Sequence, residues 1–383
     1  MKLRSALLIL AMLVSSVTAL AQSVPTPGEL FLRGKSLGKQ TNGMMENHEG
    51  EELDLSTRRP TVNLEGTVFA EKYAKPGTTL WANFYHVGKF YVARVPDQGV
   101  KRVFLQIWYF ATKGATKDLA AHSLLRFEMD PARPVELVAF MPEQTQLLNL
   151  AQMNKASAIA ELPAELTGAQ FKLRNVALSA EAQWSKKDPK KMYGILRGQM
   201  GAFMTIIRFV SMESRLMEFF KSGNPVSQVE LDPEGVDLDK VLKTGLAKSQ
   251  REGISIPYRT FIRNCTTIAF EIVEQAIEGI ERKTFRIREF MRELVPATVK
   301  KKLSDYGREV MPVQQDTSLI REAALAHERV YLDPKSPVRG TTLEAKQLAN
   351  LELAESMILR AGVRLRTRAR TTFLGCPQAF GSK

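Results

Sequence analysis

The chain contains few of the residues that bind metals or form disulfide scaffolds. Its 383 residues include two cysteines and four histidines. Two cysteines are too few for a disulfide framework or a cysteine-rich zinc site. Neither His48 nor His327, each of which precedes a glutamate, has a second histidine four residues later, as a zinc hydrolase of the H-E-x-x-H type requires. We therefore expect no metal and no other cofactor.

Long apolar runs are absent beyond the N-terminus. Residues 1–4 supply a positive start, residues 6–14 are apolar, and residues 19–21 have the small-x-small form of a signal peptidase site. This pattern predicts a signal peptide over residues 1–21 that is cleaved after Ala21, rather than a retained membrane anchor. No later run reaches the roughly 18 apolar residues that a spanning helix needs. We expect an exported protein, located in the periplasm if the host is a Gram-negative bacterium.

The remaining sequence indicates a globular α+β protein. A hydrophobic content of 44% with 25% charged residues excludes a disordered or collagen-like chain. Residues 22–58 are predicted to be irregular. Runs rich in Val, Phe, Tyr and Leu then predict strands over 80–85, 89–93, 103–110, 122–129, 135–140 and 171–178.

The second half of the chain is predicted to be helical. Apolar residues recur at helical spacing over 193–221, 237–248 and 266–280. We expect a domain over residues 59–283 in which a mostly antiparallel sheet packs on helices. A basic helical extension is predicted to follow over residues 284–383.

One segment combines a reactive residue with a local structure that would activate it. Asn264 is a good N-cap, and Cys265 follows it on the first turn of a predicted helix with one apolar face. Unpaired N–H groups and the positive end of the helix dipole favour a thiolate at this position and lower the pKa of the thiol. Cys265 is therefore the candidate nucleophile.

A nucleophilic thiol also needs a base, usually a histidine. His48 and His327 lie in stretches that predict solvated side chains, and His86 is at the end of a strand near a turn. His122 lies on a strand whose alternation places it on the face opposite Ser123. Among the histidines His122 is thus the best candidate, although a histidine on a strand is more often a structural residue.

The order of these motifs resembles a known family. His122-Ser123 comes first, then Glu213-x-Arg215 and Glu218-Phe219, then residues 229–234, then Tyr258 and residues 264–267 with the sequence Asn-Cys-Thr-Thr. This order is similar to the permuted papain-like (NlpC-type) enzymes, which include the lecithin retinol acyltransferase group. It resembles most the Lnb N-terminal periplasmic domain family, over residues 60 to 280.

The resemblance implies a site for acyl transfer or for amide or ester hydrolysis. Cys265 would be the nucleophile, and His122 the general base and then acid. Glu136 would be the third polar residue, the alternative being an exposed carboxylate on a strand. Tyr258 or Asn264 would lie beside an oxyanion hole formed by the backbone N–H of Cys265.

The substrate and the activity stay open at this point. Founding members of the family transfer acyl chains on bacterial lipoproteins but carry membrane-spanning helices, which this sequence lacks. A peptidase or amidase acting on cell-wall or other peptide substrates would use the same pair of residues. A catalytically silent binding or structural protein of the envelope is a further alternative, as is a Cys265–Cys376 disulfide that would block the thiol.

Acidic residues are fewer than basic ones, and the imbalance is local. The chain has 41 Asp+Glu against 54 Lys+Arg, a net charge of +13, and residues 282–383 hold 20 Lys+Arg against 11 Asp+Glu. Nucleic acid is not an expected partner of an exported protein. We expect the basic extension to contact an anionic membrane surface or envelope polymer, the alternative being a solvated basic face.

Overall fold

The structure is a computed structural model of the whole chain. It describes residues 53–66, 68–109, 121–140, 171–188, 193–222, 226–234, 236–253, 256–260, 263–276, 307–310 and 319. The predicted signal peptide, most of the predicted irregular segment, nearly all of the predicted extension and Cys376 lie outside the described residues. Within the extension, which is predicted to be helical, Gly307–Val310 is instead a strand paired with residues 228–231.

The described residues form a mixed α+β fold around one large sheet, which confirms the coarse fold class. Five helices are present in these ranges: α1 (Val68–Tyr73), α2 (Ile195–Gln199), α3 (Met212–Ser222), α4 (Leu238–Glu252) and α5 (Cys265–Ala276). The strands there are β1 (Val62–Asn63), β2 (Thr78–His86), β3 (Lys89–Pro96), β4 (Val100–Tyr109), β5 (Ala121–Met129), β6 (Val135–Phe140), β7 (Phe171–Leu173), β8 (Asn175–Gln183), β9 (Phe203–Ser211), β10 (Val226–Leu231), β11 (Pro257–Tyr258) and β12 (Gly307–Val310).

The strand order is β12-β10-β4-β5-β8-β9-β2-β3-β6-β7, with β1 beside β2 and β11 beside β9. Neighbouring strands are antiparallel except β2 and β9, which are parallel. The six predicted strands are all confirmed, the last of them divided at Arg174 into β7 and β8. The chain thus brings β5 and β8 side by side although residues 130–174 separate them.

The predicted helix over residues 193–221 is wrong. The segment contains the short helix α2, then strand β9, then helix α3. Every residue of β9 is buried, because the strand lies between β8 and β2 and is covered on both faces. An apolar run of this kind has no period of two, so its pattern cannot be distinguished from that of a buried helix.

Two helices cover one face of the sheet at β5 and β8. The main apolar cluster joins residues of α4 and α5 to Leu125, Leu178 and Ala180 on the strands. At Gly245 helix α4 lies so close to the Leu178 side chain of β8 that a β-carbon there would overlap its Cδ1 atom.

The other face of β8 is polar at Ser179 and Glu181. Helix α3 contacts β8, β9 and β2, and it brings Arg215 to Ser179 and Glu181. No helix within the described residues is long and apolar enough to cross a membrane.

Candidate active site

The first turn of α5 is fixed by its cap. The Asn264 side-chain oxygen accepts hydrogen bonds from the backbone N–H groups of Thr266, at 2.9 Å, and Thr267, at 3.0 Å. Its amide nitrogen donates to the carbonyl oxygen of Thr260 at 2.7 Å. These bonds satisfy two of the free N–H groups of the helix start. Cys265 is consequently the first residue of the helix, as the sequence predicts.

The thiol of Cys265 is buried and surrounded by donors. The backbone N–H of Ser123 on β5 donates to Sγ at 3.4 Å. The Tyr258 hydroxyl lies beside the same sulfur and acts to lower the pKa of the thiol. Burial raises the pKa of the Cys265 thiol, although these hydrogen bonds oppose the shift. The expected lowering by the helix dipole is therefore outweighed by desolvation, and the resting group is a neutral thiol.

His122 is held by a chain of polar groups on β8. Its Nε2 lies 2.7 Å from Ser179 Oγ, and Ser179 donates its single proton to Glu181 Oε1 at 2.9 Å. Ser179 must then accept from His122, so the network assigns the proton to Nε2 and leaves Nδ1 as the basic nitrogen. Burial, with the positive charge of Arg215 adding to it, lowers the pKa of His122 from 6.5 to about 3. The imidazole is therefore neutral at physiological pH.

Glu181 is the centre of a buried ionic cluster. Its carboxylate lies 2.7 Å from Arg58 Nε, 3.1 Å from Arg215 Nη1 and 3.4 Å from Arg208 Nη1. Burial acts to raise the pKa of Glu181, but the charges of Arg208, Arg58 and Arg215 outweigh it and hold the pKa well below its ordinary value. Glu181 is thus ionised and accepts the proton of Ser179 as a permanent anion.

One cavity of about 360 Å³ connects these groups. Cys265, Tyr258 and His122 line it together with Glu181. Ser123 faces α5, and its hydroxyl lies 2.8 Å from Thr266 Oγ1, whereas His122 faces Ser179 on the other side of the sheet. The thiol and the imidazole thus reach the cavity around the end of β5 from opposite faces. Among the described residues no hydrogen bond joins them.

The structure does not bring Glu136 to this cavity. In the sheet, four strands lie between β5, which carries His122, and β6, which carries Glu136. At about 4.8 Å per strand, the two strands are roughly 24 Å apart. Glu136 instead pairs with Arg94 at 2.5 Å and Lys75 at 3.6 Å. Glu136 lies on the next strand along the chain, β6, but the place beside β5 belongs to β8.

The polar residues beside His122 are Ser179 and Glu181, and not Glu136 as predicted. Their signal is present in the sequence, since Ser179, Glu181 and Gln183 alternate with alanines. The predicted strand ended at residue 178, so this polar face was missed. Asn264 acts as the helix cap rather than at the cavity, because both ends of its amide are used by α5 and Thr260.

Comparisons with protein-family models, curated proteins and solved structures found no match to this chain. Within the described ranges no group of three or more metal-ligating side chains is present. Cys265 is a free thiol.

Proposed function

We propose that this protein is an exported thiol enzyme of the cell envelope that transfers or hydrolyses acyl groups, with lipoproteins as the first candidate substrate. One observation carries the proposal: the Cys265 thiol at a capped helix start and the neutral imidazole of His122 line the same cavity. We assign the protein to the Lnb-like permuted papain-like enzymes on the motif order, supported by the packing of α5 against β5 and β8. The periplasm is the proposed location.

In the proposed reaction, His122 Nδ1 takes the thiol proton while Cys265 Sγ attacks the carbonyl carbon of an acyl group. The resulting oxyanion is stabilised by the backbone N–H of Cys265 and the Tyr258 hydroxyl. Collapse forms a thioester and expels an alcohol or amine, which takes the proton from His122. A water molecule or an acceptor amine then attacks the thioester and loses a proton to His122. His122 passes this proton to the departing Cys265 sulfur.

The resting charges determine when the proton moves. A buried thiol with a raised pKa and an imidazole with a pKa of about 3 do not form a stable ion pair. The proton transfer therefore belongs to the step in which the sulfur attacks, when the substrate fills the cavity and displaces water. Ser179 and Glu181 keep the proton on Nε2, so that Nδ1 is the nitrogen available to the thiol.

The test compares wild-type and Cys265→Ala strains of the native host for lipoprotein acylation state and for muropeptide profile. Cys376→Ser is the matched control, since it removes the other cysteine of the chain. Altered lipoprotein acylation in Cys265→Ala alone supports the acyltransferase. Altered muropeptides alone support the peptidase or amidase alternative. No change in either property contradicts both enzymes.

A catalytically silent envelope protein on the same fold is the second candidate. It is favoured by the raised pKa of the Cys265 thiol and by the different hydrogen-bond partners of the thiol and His122. In that case a Cys265→Ser variant fully complements a deletion of the gene, whereas the enzyme requires that it does not.

A further inference from the structure

An ionic cluster beside the Cys265 cavity carries more positive than negative charge. Three arginines, Arg58, Arg208 and Arg215, share two carboxylates, Glu181 and Glu218. Four of these five side chains line the cavity, and Arg208 lies behind them. With both carboxylates ionised, the cluster has an excess of one positive charge.

His122 does not add to this excess. Its pKa of about 3 leaves it neutral, and Arg215 contributes to that low value. Glu218 is bound by both Arg208, at 2.9 Å, and Arg215, at 2.5 Å. Partial burial opposes ionisation of Glu218, whose side chain is 44% exposed, but these two arginines outweigh it and lower its pKa. The two carboxylates therefore balance two of the three guanidinium charges, and one positive charge remains.

The arginine most deeply placed in the cavity wall also has an unused donor. Arg215 Nε is buried and has no hydrogen-bond partner, while its two terminal nitrogens bind Glu181, Glu218 and Ser179. Its guanidinium lies over Trp108 at 5.3 Å from the ring centroid, and that of Arg58 lies over Trp184 at 5.1 Å. The rings fix both cations at the cavity wall.

A third guanidinium charge in a cluster with two carboxylates is costly unless an anion pairs with it. We propose that the cavity binds a singly charged oxyanion, a carboxylate or a phosphate ester, that belongs to the acyl substrate, with Arg58 and Arg215 as its cationic contacts. This inference rests on the proposed function for the identity of the substrate, and it assigns that substrate an anionic group within the cavity that also holds Cys265. Guanidinium groups suit such oxyanions because their N–H donors match the oxygen pairs.

The first experiment compares the alkylation of Cys265 by iodoacetate, which is anionic, and by iodoacetamide, which is neutral and of similar size. The full chain carries Cys376→Ser so that Cys265 is its only thiol, and the rates are measured at about pH 9.5, where a larger share of the thiol ionises. Arg58→Gln is the test variant, because Arg58 is 27% exposed and its loss leaves the buried arginines in place. Arg59→Gln is the matched control, since Arg59 lies over Phe90 and does not line the cavity.

We expect the ratio of iodoacetate rate to iodoacetamide rate to fall about tenfold in Arg58→Gln, the effect of one unit charge at short range in a partly buried site. The ratio in Arg59→Gln should equal that of the parent. An unchanged ratio in Arg58→Gln overturns the proposal. If neither reagent modifies Cys265, the proposed function as a thiol enzyme is contradicted. In that case the second experiment tests whether the cavity binds an anion.

The second experiment measures the Tm of the same proteins and of Cys265→Ala with acetate, inorganic phosphate or a water-soluble short-chain phosphatidylglycerol, at matched ionic strength. We expect a rise in Tm for the parent, for Arg59→Gln and for Cys265→Ala, and a clearly smaller rise for Arg58→Gln. The most effective probe identifies the source as a carboxylate, a free phosphate or a lipid headgroup. No rise with any probe overturns the proposal. A rise in Cys265→Ala together with unaltered envelope chemistry would instead contradict only the proposed function.

Discussion

At the scale of single residues, His122 depends on two side chains of β8. Ser179 holds Nε2 of the imidazole and is itself held by Glu181, which three arginines keep ionised. Cys265 and His122 could be selected from the sequence because a capped helix start and a strand alternation are local patterns. The polar face of Glu181 is visible in the sequence, but its position beside His122 is not, because it follows from the pairing of β5 with β8, which residues 130–174 separate.

Ser179→Ala should disturb the tautomer of His122. Without the hydroxyl, Nε2 loses the group that accepts its proton, and the proton distributes over both ring nitrogens. Nitrogen NMR of labelled protein measures this directly: we expect one tautomer with the proton on Nε2 in the wild type and a mixture in Ser179→Ala. An unchanged spectrum would show that the Ser179 contact does not set the tautomer.

The low pKa of His122 links it to acid stability. The unfolded chain binds a proton at this imidazole below about pH 6.5, whereas the folded chain does so only near pH 3. The stability that the neutral His122 imidazole contributes is complete above pH 6.5 and is lost as the pH falls from there towards 3. Urea unfolding between about pH 7 and about pH 5, above the range in which Glu181 titrates, should show a smaller loss of stability for His122→Gln than for wild type. Equal losses would contradict the low pKa.

At the scale of elements, helix α5 positions the thiol and its start depends on Asn264. Replacing this residue by alanine removes two hydrogen bonds to the helix N–H groups and one to Thr260. We expect Asn264→Ala to lower the free energy of unfolding by about 1 kcal/mol, measured with urea. Asn264→Asp keeps the acceptor oxygen and should lose less. A larger loss in Asn264→Asp than in Asn264→Ala would refute this role for the cap.

Helix α4 supports the same region through its close approach to β8. A side chain at Gly245 would overlap Leu178, which lies in the buried core. We expect Gly245→Val to lower the free energy of unfolding by about 1–3 kcal/mol, as other overpacked cores do. Gly194→Ala is the control, because a β-carbon there would meet only Arg197 at ordinary contact distance. Equal stability of the two variants would contradict the packing of α4 on β8.

At the scale of the whole molecule, the large sheet brings residues that are far apart in the sequence, from Arg58 to Cys265, to one cavity. The α+β class could be predicted because turns and apolar runs mark most strands locally. The order of the strands could not, since β6 and β7 join the edge far from β5 while β8 returns to it. The buried strand β9 was hidden for a different reason, because burial on both faces removes the alternation that identifies a strand.

Acylation of the full chain by a p-nitrophenyl ester tests most directly whether Cys265 and His122 act together on acyl groups. Mass spectrometry of a Cys376→Ser background identifies the acyl adduct, and its rate of formation is compared with that in His122→Ala and in His327→Ala. We predict an adduct on Cys265 whose formation slows about 100-fold or more in His122→Ala and is unchanged in His327→Ala. Acylation of Cys265 at the same rate in His122→Ala, or no adduct on Cys265 at all, would contradict this joint action.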